Sequence, residues 1–216
     1  NAKLLEGYFL NALGHPDEAA ESYEQGLLIV MRLLNQLVKF RDKRSRAFLQ
    51  QRQMGEAWHE ARLAQYEAEN LQGVVQTEQG NYAEANESYQ SALALAQNLG
   101  YEAGLAQTHR DLAILRMCQF QLDDAIAHAN QAIGYYEQIG DQLNIATIQN
   151  TLSGIYLQAQ RFKDAAEAAR AALPFFEQIH HSYSMAVTAS NLAEAYFELG
   201  DLENAERYAQ YVLGQE

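Results

Sequence analysis

Cysteine occurs once in this chain of 216 residues, at Cys118, and proline twice, at Pro16 and Pro174. A lone thiol excludes an intramolecular disulfide framework and a cysteine-rich zinc site. It fits a reducing, cytoplasmic setting and reads as a small buried apolar residue rather than a nucleophile. No apolar run approaches the ~20 residues that span a bilayer, and no charged stub precedes an apolar stretch at the start, which argues against a membrane partner. The sequence starts at Asn1-Ala2 without Met, and the expectation is either a tag remnant at the start or a piece of something longer. Basic residues are scarce: 15 Lys and Arg stand against 28 Asp and Glu, for a net charge of -13.

Catalytic signatures are missing too. No Gly-rich loop ends in Lys-Ser or Lys-Thr, and His59-Glu60 is followed by Leu63 where a metalloprotease helix needs a second His. His180 and His181 are adjacent and diverge in direction, while His109 and Cys118 stand nine residues apart, so neither pair suits a metal. The expectation is a protein that is not an enzyme, with no cofactor and no metal.

What the chain does contain is alanine, 35 residues of it, beside many Leu, Glu and Gln. These residues lose little entropy in a helix, and they predict an all-α protein. Internal repetition then organises it. Ala85, Ala125, Ala165 and Ala205 are spaced by 40, each preceded at a constant offset by Tyr82, Leu122, Phe162 and Leu202. Upstream, Leu112-Ala113, Leu152-Ser153 and Leu192-Ala193 also recur at 40, and Asn70-Leu71-Gln72-Gly73 fits with a slip of one residue. Two series at one period mark two helices per repeat, with small residues where backbones approach and bulky ones at the next contact. Gly80, Gly200, Gly100 and Gly140 mark turns, since glycine reaches the left-handed conformation that ends a helix; at the matching third junction stands His180-His181, and that turn is made without glycine.

Leu192-Ala193, Tyr196, Gly200, Ala205 and Val212, with Leu152, Tyr156, Phe162, Ala165 and Ala172 one repeat earlier, resemble the tetratricopeptide repeat. Gly7, Gly14, Ala19, Tyr23 and Gly26 outline an earlier unit. The usual period is 34 residues; the longer one here is similar to that of kinesin light chains, peptide-sensing bacterial regulators and the arms of bacterial signalling ATPases. Phe120 departs from the family pattern, standing where glycine is usual, and the large aromatic near the start of the first helix is missing. The resemblance implies an α-solenoid, a right-handed superhelix of helical hairpins. The units fall at about residues 3–40, 66–100, 101–140, 141–180 and 181–214, with a helical insertion at about 27–65.

That insertion reflects a break in the period, since Ala19 and Ala85 are 66 apart. Between Gly26 and Gly55 there is neither Gly nor Pro, so a long helix closed by Met54-Gly55 is expected, or two helices broken near Arg41 to Ser45. Its apolar start, with Leu27, Val30, Leu34 and Leu37, covers more than one helix face and marks a candidate self-association surface. Lys39, Arg41, Lys43, Arg44, Arg46 and Arg52 form a basic knot that includes Phe40 and Phe48 but no known nucleic-acid reading motif, and nucleic acid is a poor partner. Residues 71–216 carry 6 basic and 18 acidic side chains, which favours a basic or neutral partner.

By resemblance to peptide-binding relatives, the first helix of each hairpin lines a concave groove that takes a protein or peptide. The positions so implicated are Asn70, Arg110, Asn150 and Ser190 as a polar ladder, with Val74 and Ile114 one turn on, then Thr77, Met117, Leu157 and Phe197. Only Arg110 among them is basic, which disfavours clamping of a terminal carboxylate. Pro174, inside a helix, is expected to kink it. The last helix ends on Tyr208, Tyr211, Val212 and Leu213 without a polar capping helix, so further chain or a neighbour is expected to cover it. The resulting expectation is a scaffold or sensor module of a larger bacterial signalling or regulatory protein; homodimer formation through residues 27–40 is the alternative.

Overall fold

The computed structural model describes Gln25, Gly26, Leu28, Arg32 and residues 53–214; the first four are helical, and across 53–214 good helix formers interrupted at regular turns yield eight α-helices and no strand. They are α1 Gln53–Glu78, α2 Tyr82–Leu99, α3 Glu102–Cys118, α4 Leu122–Ile139, α5 Gln142–Gln158, α6 Phe162–Gln178, α7 Ser182–Glu198 and α8 Leu202–Val212. The self-association residues Leu27, Val30, Leu34 and Leu37 and the basic knot lie outside the described residues. Two compact units meet in sequence between Gly104 and Leu105.

Met54-Gly55 does not close a helix. Both residues lie inside α1, which runs for 26 residues through the expected unit boundary at 66. One interior glycine costs about 1 kcal/mol of helix propensity, and the strong helix formers around it, Gln53, Met54, Glu56 and Ala57, outweigh that cost.

Every turn from α1 onward uses one device. An amide two or three residues past the helix end reaches back five residues: Asn81 to Gln76, Tyr101 to Ala96, Gln121 to Arg116, Asp141 to Tyr136, Arg161 to Tyr156, His181 to Phe176 and Asp201 to Tyr196, at 2.8–3.0 Å. This closure needs a left-handed residue just before the donor. Gly80, Gly100, Gly140 and Gly200 supply it, and Phe120, Gln160 and His180 take the same conformation at φ 57°, 56° and 53°. The turn at His180 is thus made without glycine, as the sequence requires. Asp141, His181 and Asp201 then cap the next helices, accepting from the amides of Asn144, Ser184 and Asn204.

In the first unit α1 packs on α2. Tyr66 is buried in this unit, donates its hydroxyl to the Gly104 carbonyl at 2.9 Å and meets Tyr101 edge-on. Gly73 lies under Tyr89: a Cβ there would come within 2.6 Å of that ring. In the second unit the alanines make the contacts. Ala106 and Ala113 of α3, Ala129 and Ala132 of α4, and Ile145, Ile148 and Leu152 of α5 share one core; Ala165, Ala166 and Ala169 of α6 pack with Leu192 and Ala195 of α7 in another. Of the repeated alanines, Ala85, Ala125 and Ala165 are wholly buried and Ala205 nearly so. Pro174 stays within α6, and Phe176 behind it is buried with Ala146 and Ala172. Just past the end of the last helix Leu213 is exposed.

Candidate protein-interaction surface

Hydrophobic periodicity buries one side of each first helix, and the positions i, i+4 and i+7 on another side stay open to differing degrees. On α1, in the first unit, Asn70 is only 2% exposed, while Val74 and Thr77 are half-buried. Thr77 donates back to the Gly73 carbonyl at 2.8 Å and lies 3.4 Å from the Tyr89 hydroxyl. Asn70 therefore sits inside the unit rather than on a ladder facing a partner.

In the second unit the three first helices give a clearer pattern. Arg110, Ile114 and Met117 of α3 are half-buried, as are Asn150, Gly154 and Leu157 of α5; Ser190, Glu194 and Phe197 of α7 are exposed, Phe197 to 63%. Arg110 bonds the carboxylate of its neighbour Asp111 through Nε and a terminal nitrogen at 3.0 and 2.9 Å. That pairing fixes its head while its side chain keeps 27% of its surface.

Asn150 serves the fold. Its Oδ1 accepts from the Thr188 hydroxyl at 3.0 Å and from Asn191 Nδ2 at 3.3 Å, and Asn191 also donates to the Ser153 hydroxyl at 2.6 Å. Ser153 and Thr188 are wholly buried, so this network ties α5 to α7 within the protein. Sequence reasoning missed Ser153, Thr188 and Asn191: the bonding partners are 38 and 41 residues apart, and only the near-40 offset hints that they meet. It also missed Leu143 and Tyr183, exposed apolar residues that occupy the second position of α5 and of α7.

Ionisable groups offer little for chemistry. Among the described residues no three His, Cys, Asp or Glu side chains gather as a metal site, and no helix is long and apolar enough to cross a membrane. Cys118 is a free, half-buried thiol. Burial raises the Glu69 carboxyl above the ordinary range. Burial, and then His128, lowers His109 to about 4.

The tetratricopeptide repeat profile matches residues 64–138, 104–178 and 144–213 in overlapping register. No curated protein sequence gives a match. Among solved structures, BtubC (BKLC) from P. vanneervenii is similar with a TM-score of 0.66 and 18% identity over 98% of this chain and 85% of that one. A point variant of a Podosopora anserina putative kinesin light chain with nearly identical TPR-like repeats gives 0.60 and 17% over 99% and 92%. A second structure of that putative light chain gives 0.60 and 16% over the same shares. Identities this low speak for the fold alone, an all-α solenoid of the tetratricopeptide type.

Proposed function

The chain belongs to the tetratricopeptide repeat family, and from that premise we propose that it is a non-catalytic module that binds a protein or peptide across the first helices α3, α5 and α7. The observation that carries this is the i, i+4, i+7 face recurring on three successive first helices, half-buried on α3 and α5 and exposed on α7, with Ile114, Met117, Leu157 and Phe197 as apolar contacts and Arg110 and Ser190 as polar ones. An extended segment or a helix laid across such faces buries side chains in the spaces between them. Asn150 supports the surface from beneath; within the first unit, taken by itself, Val74 and Thr77 stand at the same register on α1.

The excess of acidic side chains after residue 70 selects a basic or neutral partner. The 40-residue period, similar to that of signalling arms, supports a place in a larger bacterial signalling or regulatory protein acting in the cytoplasm. The test is a random peptide display library panned against the chain. Changing Met117 and Phe197 together to Glu should weaken the selected ligands at least tenfold, with the helical circular dichroism unchanged. Ligands that bind the double variant as tightly as the native chain would sink the reading.

A second reading, self-association through residues 27–40, is favoured by one observation: Leu28 is helical and 61% exposed. Changing Leu27, Val30, Leu34 and Leu37 to Ser should convert a dimer to a monomer in light scattering; a native chain that is monomeric at high concentration removes it.

A further inference from the structure

Two imidazoles meet head-on inside the hairpin formed by α3 and α4. His109 Nδ1 and His128 Nδ1 are 3.1 Å apart, while the ring centroids are 5.3 Å apart. The difference is about one ring radius at each end, so the two nitrogens point at each other. In that arrangement one Nδ1 carries a hydrogen and the other offers its lone pair. A metal ion would need the two lone pairs to converge on one point ~2 Å from each nitrogen, which opposed nitrogens do not do. His109 is buried at 9% exposure, and the Tyr135 ring lies parallel to it at 5.8 Å.

We propose that His109 and His128 form an acid-sensitive latch, in which a single hydrogen between them holds α3 to α4 and uptake of a further proton opens the hairpin. A further proton taken up at the acceptor Nδ1 would place hydrogens on both facing nitrogens, turning a hydrogen bond into a contact between two donors; one taken up at the donor ring's Nε2 would leave that bond, and either adds charge to a site whose burial opposes it. The surroundings offer little compensation. Arg116 of α3 opposes charging of His128, whereas Asp124 and Gln131 of α4 favour it but do not overcome burial. On His109 burial acts first and His128 second, both against the charged form. The α5 residues in the same core, Ile145, Ile148 and Leu152, are apolar.

The direction of the pH dependence follows. In the unfolded chain a histidine titrates near 6.5, and in the folded chain His109 titrates at about 4. Between these values the unfolded chain holds more protons. The latch's contribution is therefore complete above the unfolded value and is lost as pH falls to about 4, with the unfolding equilibrium rising about tenfold per pH unit for one such proton. The helix released carries Arg110, Ile114 and Met117, so acid would also weaken a partner bound there; that consequence rests on the proposed function, and the latch itself does not.

Denaturant unfolding of the native chain and of the double variant His109→Asn, His128→Asn, followed between about pH 7 and about pH 4.5, tests it. The native equilibrium should shift toward unfolding by about tenfold more per pH unit than the variant's; parallel pH profiles would overturn the latch. Should the variant fail to fold, histidine nitrogen NMR of the native chain decides. A midpoint for His109 near 4, with one of the two Nδ1 atoms protonated at neutral pH, supports the latch. A midpoint near 6.5, or hydrogens on Nε2 of both rings, contradicts it.

Discussion

A single backbone conformation at the turns shows how much of the fold is decided residue by residue. Phe120 and Gln160 occupy the places that Gly80 and Gly200 hold one repeat away, and His180 the place of Gly100 and Gly140. For an L-residue the left-handed region costs about 1–2 kcal/mol, part of which glycine returns as extra freedom in the unfolded chain. Phe120 is 80% exposed, so little packing is lost with its ring. Phe120→Gly should therefore stabilise the protein by ~1 kcal/mol, seen as a higher denaturant midpoint at unchanged slope. Turn positions of this kind were legible in the sequence because the period placed histidine against two glycines. The role of Asn150 was not: its partners come from α7, and a polar residue at a groove position looks the same whether it faces a ligand or a neighbouring helix. The His109 and His128 contact was equally hidden, since nothing in a separation of 19 residues says which faces of α3 and α4 meet.

At the scale of the helix pair, the period sets not just where small residues stand but what they stand against. Gly73 lies 40 before Ala113 and Tyr89 lies 40 before Ala129, so the first hairpin pairs Gly with Tyr where the next pairs Ala with Ala. The series thus holds at Gly73 without the slip of one residue that Leu71 suggested. Tyr89 is almost wholly buried and its ring has no room to yield to a methyl group. Gly73→Ala should cost ~1–3 kcal/mol from overpacking, less the ~1 kcal/mol that alanine gains over glycine in a helix. Combined with Tyr89→Ala, the loss should fall short of the sum of the single losses, because the clash is gone. Denaturant unfolding of the four proteins measures this, and strict additivity would show that the two positions do not interlock. The extent of α1 departs from expectation for a related reason: a lone glycine looks like a helix stop, but a stop also needs the left-handed turn found at Gly80 and Gly100, and Gly55 has helical neighbours on both sides.

For the whole molecule, repeat type and family were readable because period, small-residue positions and turn chemistry all agree, and structural similarity over nearly the full chain at 18% identity rests on the same pattern rather than on shared residues. The binding surface was readable only in part. Of the apolar members Phe197 is exposed and Ile114, Met117 and Leu157 are half-buried, whereas of the expected ladder Asn70 is buried and Asn150 is bonded to α7. Local pattern identifies a helix face; it does not separate side chains that meet a partner from those that meet the next helix. Methyl NMR of the chain with a selected peptide ligand tests the central claim most directly. The methyl signals of Ile114, Met117 and Leu157 should shift on binding while those of Ile133 on α4 and Leu173 on α6 stay in place. Shifts confined to Ile133 and Leu173, with the first-helix methyls unmoved, would contradict it.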